Sequence, residues 1–302
     1  MNRKPYVSYI VMTLLCWWLL SFASAMAQQS VAWVEMIAGN DQDVTLIRAS
    51  ETLPVAIYTS LSSGDEITVN GDTALTISYA DGQTQQLTRL NTPIQIDGQA
   101  EESGFVDNML GWLGDSIASW SSSGDEAGGQ VTLHVRGEDD AAGIVQAFQN
   151  DFGFKLSSDS RELGLRWLGG TPPFSVRFSC QEMNEEVHQQ LIVRDLESRH
   201  VTIEPIDLLP GDFCQLEVSS DREIYEIPLE IVASEELPHF APPAGFIYLN
   251  NELRTMIHAS WLLQQGSDWS FAAYQMVQKI APDYPPADKV ARALEEGKLL
   301  SP

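Results

Sequence analysis

The sequence predicts a mainly β protein that ends in α-helices. Three observations predict it. Between residues 31 and 98, short apolar-alternating runs are broken by Gly64-Asp65, Asn70-Gly71 and Asp81-Gly82. A second set of such runs fills residues 131 to 235. Beyond a proline-rich stretch, apolar residues recur at helical rather than strand spacing to the C-terminus.

Residues 1–27 stand apart. Arg3 and Lys4 precede the apolar run VSYIVMTLLCWWLL, and SFASAMA follows with Ala25 and Ala27 spaced as an A-x-A cleavage site. This is the layout of a secretory signal peptide. The same residues admit an uncleaved inner-membrane anchor, because Tyr6 to Ala27 carries no charge and nearly spans a bilayer. Leu15 stands before Cys16 where a lipoprotein site needs a small residue.

Residues 28–98 form the first β module. VAWVEMIAG, VTLIRA, AIYT, EITV, ALTISYA, QQLTRL and PIQI are its expected strands. Asn-Gly and Asp-Gly tolerate positive φ, which two-residue hairpin turns require. The order of these elements resembles the FecR family. The resemblance is carried by a first strand ending at Gly39, L-x-x-G-D-E-I at Leu61 to Ile67, Gly71, and L-x-I-x-Y-x-D-G at Leu75 to Gly82. It implies a small β domain at the cell envelope, where membrane-bound members relay signals to a sigma factor. Only five residues precede the uncharged stretch that starts at Tyr6, so the cytoplasmic regulatory segment of those members is not expected, and exported FecR-like proteins are the better match.

Residues 99–130 read as a linker holding an amphipathic helix. Gly, Ser, Glu and Asp crowd its ends, while Phe105, Met109, Trp112, Leu113 and Ile117 share a helical face. Gly111 and Gly114 weaken that helix. A helix docked inward is the expectation, with an exposed docking element for a partner or membrane as the alternative.

Residues 131–235 form the second β module, with VTLHVRG first, a short helix in DDAAGIVQAFQNDF, and then LGLRWLGGTPPFSVRFSC, QQLIVRDL, HVTIEPI, GDFCQLEVSS and IYEIPLEIVA. Phe174, Val176, Phe178 and Cys180 alternate on one face, as do Cys214, Leu216 and Val218. Cys180 and Cys214 are the pair left after export. In an oxidising compartment they suggest one disulfide, placed between two sheets, against the alternative of two buried thiols. The run L-R-W-x-G-G-T-P-P-F-x-V, followed by L-L-P-G-D-F, resembles exported immunoglobulin-like or fibronectin-like modules and implies a β-sandwich. Trp167 precedes the first cysteine, so the family's usual core does not transfer.

Residues 236–246 are a proline-rich hinge, and 247–302 a helical tail. Leu249, Leu253, Met256, Ile257 and Trp261 form one stripe, and Trp269, Ala273, Met276 and Ile280 another. Pro285-Pro286 opens a third helix with Val290, Ala291 and Leu294 inward and Gly297 as its stop. Tetratricopeptide spacing is not met.

Composition narrows function. The formal charge is −25, and loss of Arg3 and Lys4 on export takes it to −27. No cluster of Lys and Arg exists for phosphate neutralisation, which argues against nucleic acid and anionic lipid. There is no G-x-S-x-G, H-E-x-x-H, C-x-x-C or phosphate loop. His134, His188, His200, His239 and His258 lack ligand spacing. Asp41 with Asp43, Glu138 with Asp139 and Asp140, and Glu185 with Glu186 read as solvated charge runs; a calcium loop beginning at Asn40, Asp41 and Asp43 is not completed. No catalytic residue, metal or cofactor is expected. The expected protein is a non-enzymatic, periplasmic sensor or scaffold of Gram-negative type that binds an envelope protein partner. Its rivals are a membrane-retained relay component, a peptidoglycan binder stacking sugars on Trp33, Trp112, Trp120, Trp167 and Trp269, and a hydrolase.

Overall fold

The computed structural model describes residues 30–98, 104–122, 144, 148, 153–158, 161–182, 187–221, 223–242 and 246–298. Residues 1–27, expected as a signal peptide, the run VTLHVRG with His134, and all of the helix expected at 139–152 except Ile144 and Phe148 lie outside the described residues. The fold is mainly β with helices toward the C-terminus.

The first module holds eight strands: β1 (Ser30–Ala38), β2 (Val44–Arg48), β3 (Glu51–Leu53), β4 (Ser60–Ser62), β5 (Glu66–Val69), β6 (Ala74–Tyr79), β7 (Thr84–Thr88) and β8 (Ile94–Gln95). They form two sheets ordered β4-β1-β6-β7 and β3-β2-β5-β8. Val34, Leu46, Leu61, Ile67, Leu75, Ile77 and Leu87 are buried in one cluster of this module.

Gly64, Gly71 and Gly82 all take positive φ, but their turns differ in use. Asp81-Gly82 closes the β6–β7 hairpin. Gly64-Asp65 and Asn70-Gly71 instead carry the chain from one sheet to the other. A tight hairpin unmarked by glycine joins β2 to β3, where Ala49 and Ser50 take φ of 50° and 69°. AIYT is not a strand. Tyr58 sits in a turn at φ 66°, its backbone N–H donating to the Val34 carbonyl at 2.6 Å. Burial of the ring outweighs the extended preference of that run.

The Gly-Asp motif has a structural task. Asp65, 1% exposed, accepts the Ser62 N–H at 2.8 Å and two bonds from the Arg48 guanidinium, Nε to Oδ1 at 2.9 Å and Nη2 to Oδ2 at 2.6 Å. A buried carboxylate is tolerable only when paired in this way.

β1 alternates poorly because both of its faces are covered. Ala32 and Val34 enter the first module's core, whereas Trp33 belongs to a second, larger core. That core runs through helices α1 (Gly104–Ser122), α2 (Asn251–Gln265), α3 (Ser270–Ile280) and α4 (Pro285–Glu295) into the second β module. The helices therefore form a layer touching both β modules.

α1 docks inward, with Val106, Met109, Leu110, Leu113 and Ile117 buried and Trp112 half-buried. Phe105 and Trp120 have side chains outside the description. Asp107 accepts the Trp33 indole N–H at 2.8 Å. Gly114 lets α1 approach: a Cβ there would lie 2.8 Å from the Ile57 carbonyl oxygen, whereas one at Gly111 meets nothing.

The second module comprises β9 (Phe154–Ser157), β10 (Arg161–Arg166), β11 (Phe174–Glu182), β12 (Val187–Leu196), β13 (His200–Ile206), β14 (Asp212–Ser219) and β15 (Ile224–Val232). β10 pairs with β13, and the remaining strands lie in the order β12-β11-β14-β15-β9. β9 runs parallel to β15 and begins pairing at Leu229, just past Pro228, whose missing N–H cannot serve a ladder. Cys180 and Cys214 are bridged. The bridge is not between sheets: the two cysteines are directly opposed on neighbouring strands β11 and β14. Their shared inward face does not require different sheets, since adjacent strands bring facing residues equally close.

In the tail, α2 buries Leu253, Met256, Ile257 and Leu262, with Asn250 capping its N-terminus through the Leu253 N–H. The stripe expected for α3 is out of phase. Phe271, Ala272, Ala273, Tyr274 and Val277 are buried, while Met276 and Ile280 are only half-covered. α3 packs on α2, α4 and the second β module at once, so a wide sector is covered. α4 starts at Pro285 and buries Val290, Ala291 and Leu294, and Gly297 beyond it takes φ 72°. The proline-rich stretch packs onto α2, with Phe240 stacked on His258 at 4.7 Å and tilted against Trp261 at 5.2 Å. Among the described residues, no helix is long and apolar enough to cross a membrane.

Candidate interaction surface

Two polar clamps fix the helices to the β modules and so orient every exposed surface. In the first, the buried Glu35 of β1 accepts from Ser78 Oγ and, at 2.6 Å, from Asn250 Nδ2. Asn250 thus caps α2 and ties it to the first module with one side chain. In the second, Arg166 at the end of β10 donates Nε to Glu295 at 2.7 Å and Nη1 to Asp288 at 3.0 Å. Tyr274 donates to the same Glu295 oxygen at 2.9 Å and accepts the Arg166 backbone N–H at 3.0 Å. Burial is the first influence on the Glu295 carboxyl and raises its pKa, with the Arg166 charge and hydrogen bond opposing it.

The second clamp also closes a sheet edge. Gln275 of α3 accepts the Gly164 N–H at 3.0 Å and donates to the Gly164 carbonyl at 2.8 Å, as a neighbouring strand would. β9, the edge of the larger sheet, is likewise flanked by α3, and Lys155 lies 5.7 Å from the Trp269 ring centre and 3.2 Å from Asp268.

The opposite edge of that sheet is different. β12 spans 10 residues and contains no proline. Its one strand neighbour among the described residues is β11. Val187 is 52% exposed and Ile192 39% exposed on it. Beside Val187, across the register partners Gln181 and Phe213, lies a shallow groove of about 330 Å³ lined by Ser179, Gln181, Val187, Phe213, Gln215 and Pro228. Phe213 is 41% exposed, and Leu209 stands out nearby in the preceding loop. Cys180 and Cys214 also line the groove, so the disulfide stiffens the strands beneath it. A strand edge with no second strand neighbour among the described residues, beside a groove of mixed polar and apolar lining, can accept an extended segment, backbone to backbone, with side chains seated in the groove.

The residues singled out from the sequence are dispersed. Trp33, Trp167 and Trp269 are buried and present no ring to a sugar. His200 lies beside Arg199, His239 is exposed, and His258 is packed among aromatic rings, where burial lowers its pKa. The side chain of His188 is outside the description. Asn40, Asp41 and Asp43 organise a turn: Asn40 Oδ1 accepts the Gln42 N–H and Asp43 Oδ2 accepts from Thr73. Among the described residues, the group of ligand-type side chains within coordinating distance is Cys180, Asp212 and Cys214, and its two sulfurs are spent on the disulfide. Phe213, Val187 and Ile192 went unremarked in the sequence. Phe213 had a signal, since it occupies an outward position between the inward Cys214 and the preceding turn. Comparison with protein-family models, with curated proteins and with solved structures returns no match.

Proposed function

We propose that this chain is a non-enzymatic envelope protein that binds a protein partner by strand addition at β12. The exposed, proline-free β12 edge beside the Phe213 groove carries this reading. The contrast with β10, whose edge is occupied by Gln275 and Tyr274, supports it. The signal-like residues 1–27 and the paired cysteines support export to the periplasm. The first module is proposed to be FecR-like on the runs Leu61 to Ile67 and Leu75 to Gly82. The second is proposed to be an immunoglobulin-like sandwich. Its two sheets share one core, which supports that reading, while the in-sheet disulfide departs from the family's cross-sheet bridge. The helical layer makes a scaffold of the whole by holding both modules in fixed relation.

The test is a photocrosslinking residue placed at Ile192 in cells making the full chain, with Leu90 on the first module as the control. A discrete protein adduct from position 192 and none from position 90 is expected. Equal adduct patterns from both positions, or none from 192, would refute strand addition there. The apolar run at 7–20 favours a second reading, a membrane-retained relay component. N-terminal sequencing of the cellular protein separates the two, since export with cleavage predicts a start at Gln28.

A further inference from the structure

The chain carries 17 Lys and Arg against 42 Asp and Glu. Three of those arginines nevertheless meet in one cleft of about 320 Å³, beside the two-stranded β10-β13 sheet. Arg166, Trp167 and Leu168 form its side nearest β10, Arg199 and His200 enter from the start of β13, and Arg292, Glu295 and Glu296 come from the end of α4. The three arginines face Glu295 and Glu296, Glu296 is held by Lys298 at 2.7 Å, and Asp288 behind them pairs with Arg166 at 3.0 Å and Arg292 at 2.8 Å.

Two residues that line this cleft each carry a buried donor with unused capacity. The Arg166 guanidinium spends Nε on Glu295 and Nη1 on Asp288, but Nη2 is buried with no acceptor in reach among the described residues. The next residue repeats the pattern. Trp167 is 2% exposed and packed edge-on against Phe174 at 5.2 Å, yet its indole N–H has no acceptor among the described residues. Leaving a buried donor unmade costs about 1–3 kcal/mol, and more for a charged group. Each such donor calls for an explanation, and a ligand oxygen is one that would serve both. The wall is set in place: Arg199 donates Nε and Nη2 to the Gly169 and Gly170 carbonyls at 3.0 Å each, and thereby fixes the loop that follows Trp167.

We propose that this cleft binds a carboxylate on a short apolar stem. A guanidinium edge and an indole N–H match a planar oxyanion, and guanidinium is the group best suited to that geometry. Leu168 supplies apolar wall for the stem. A phosphate dianion fits less well, because α4 points its C-terminal end at the cleft and adds negative potential to Glu295 and Glu296. A free short-chain carboxylate and a peptide C-terminus share this chemistry.

The experiment is titration calorimetry on the exported full-length protein with N-acetyl-alanine, propionate and N-acetyl-alaninamide. Saturable binding of a carboxylate and none of the amide is the expected result. Tighter binding of N-acetyl-alanine than of propionate assigns the source as a peptide C-terminus, and equal binding assigns it as a free acid. Trp167→Phe keeps an aromatic ring against Phe174 and removes the N–H, and is expected to weaken carboxylate binding about tenfold, as loss of one hydrogen bond to a charged group should. Arg292→Gln, at a largely exposed residue, serves as a second variant should Trp167→Phe fail to fold, and is expected to weaken binding severalfold. No saturable binding of either carboxylate, or binding unchanged in both variants, would overturn the assignment.

Discussion

Tyr58 and Tyr284, 226 positions apart, meet hydroxyl to hydroxyl at 3.1 Å in the buried seam between the first β module and α4. Burial raises the pKa of both phenols, so both stay protonated, and either hydroxyl can donate to the other. Removing one hydroxyl takes a partner from the other in a buried seam that also holds the Glu35 carboxylate, a second partner of Tyr284, whereas removing both leaves no tyrosine hydroxyl there to satisfy. Tyr58→Phe is therefore expected to cost about 1–2 kcal/mol, and the double replacement Tyr58→Phe with Tyr284→Phe to cost less than the two single changes together. Denaturant melts of the four proteins check this; strict additivity would mean that the seam is not formed.

The two glycines of α1 should respond in opposite directions. Gly111 is exposed with open space around its Cα, so Gly111→Ala is expected to stabilise the protein by about 0.5–1 kcal/mol through helix propensity. At Gly114 a Cβ meets the Ile57 carbonyl oxygen at 2.8 Å, and backbone cannot rotate away as a side chain can. Gly114→Ala should gain the same propensity and still be destabilising. Thermal melts of the two variants, read against the parent, decide whether α1 is docked as described.

The disulfide closes a separation of 34 residues inside one sheet. Replacing both Cys180 and Cys214 by Ala is expected to lower stability by about 2–4 kcal/mol. Reductant should lower the melting temperature of the parent and leave that of the double variant unchanged. Equal melting of the parent with and without reductant would contradict the bridge.

His258 gives a pH signature. Burial against Phe240 and Trp261 lowers its pKa, so the folded state holds the neutral ring more firmly than the unfolded state does. A depressed value contributes stability that is complete above the ordinary imidazole value of about 6.5 and is lost as pH falls through the lowered folded value. Relative to His258→Phe, which keeps the stack and does not titrate, the parent should hold a constant stability difference above that pH and lose ground below it. A difference independent of pH from neutral to acidic conditions would show that the ring is solvated.

Strand positions were legible where one face of a strand is solvated and the other buried. The runs at Val44, Glu66, Ala74 and Thr84 became strands for that reason. Legibility failed where tertiary contact overrides local pattern. β1 is covered on both faces, so its alternation blurs. Tyr58 leaves the extended conformation because its ring is worth more in the seam with Tyr284 than in a ladder. Ala49-Ser50 turns tightly with no glycine to announce it. α3 is out of phase with its expected stripe because three neighbours cover it. Contacts such as Glu35 with Asn250, or Arg166 with Glu295, join segments more than a hundred residues apart and leave no periodic mark. The β12 surface was half-legible: alternation set Phe213 outward, but only the sheet order makes β12 an edge.

Amide hydrogen exchange along β12 tests partner binding by strand addition most directly. In the purified protein, Val187–Leu196 should exchange faster than the interior strands β11 and β14. In the complex recovered from cell envelopes, the β12 amides should become protected together with the segment around Phe213. Unchanged exchange along β12 in that complex, with new protection appearing on another surface, would contradict the assignment of this edge as the binding site.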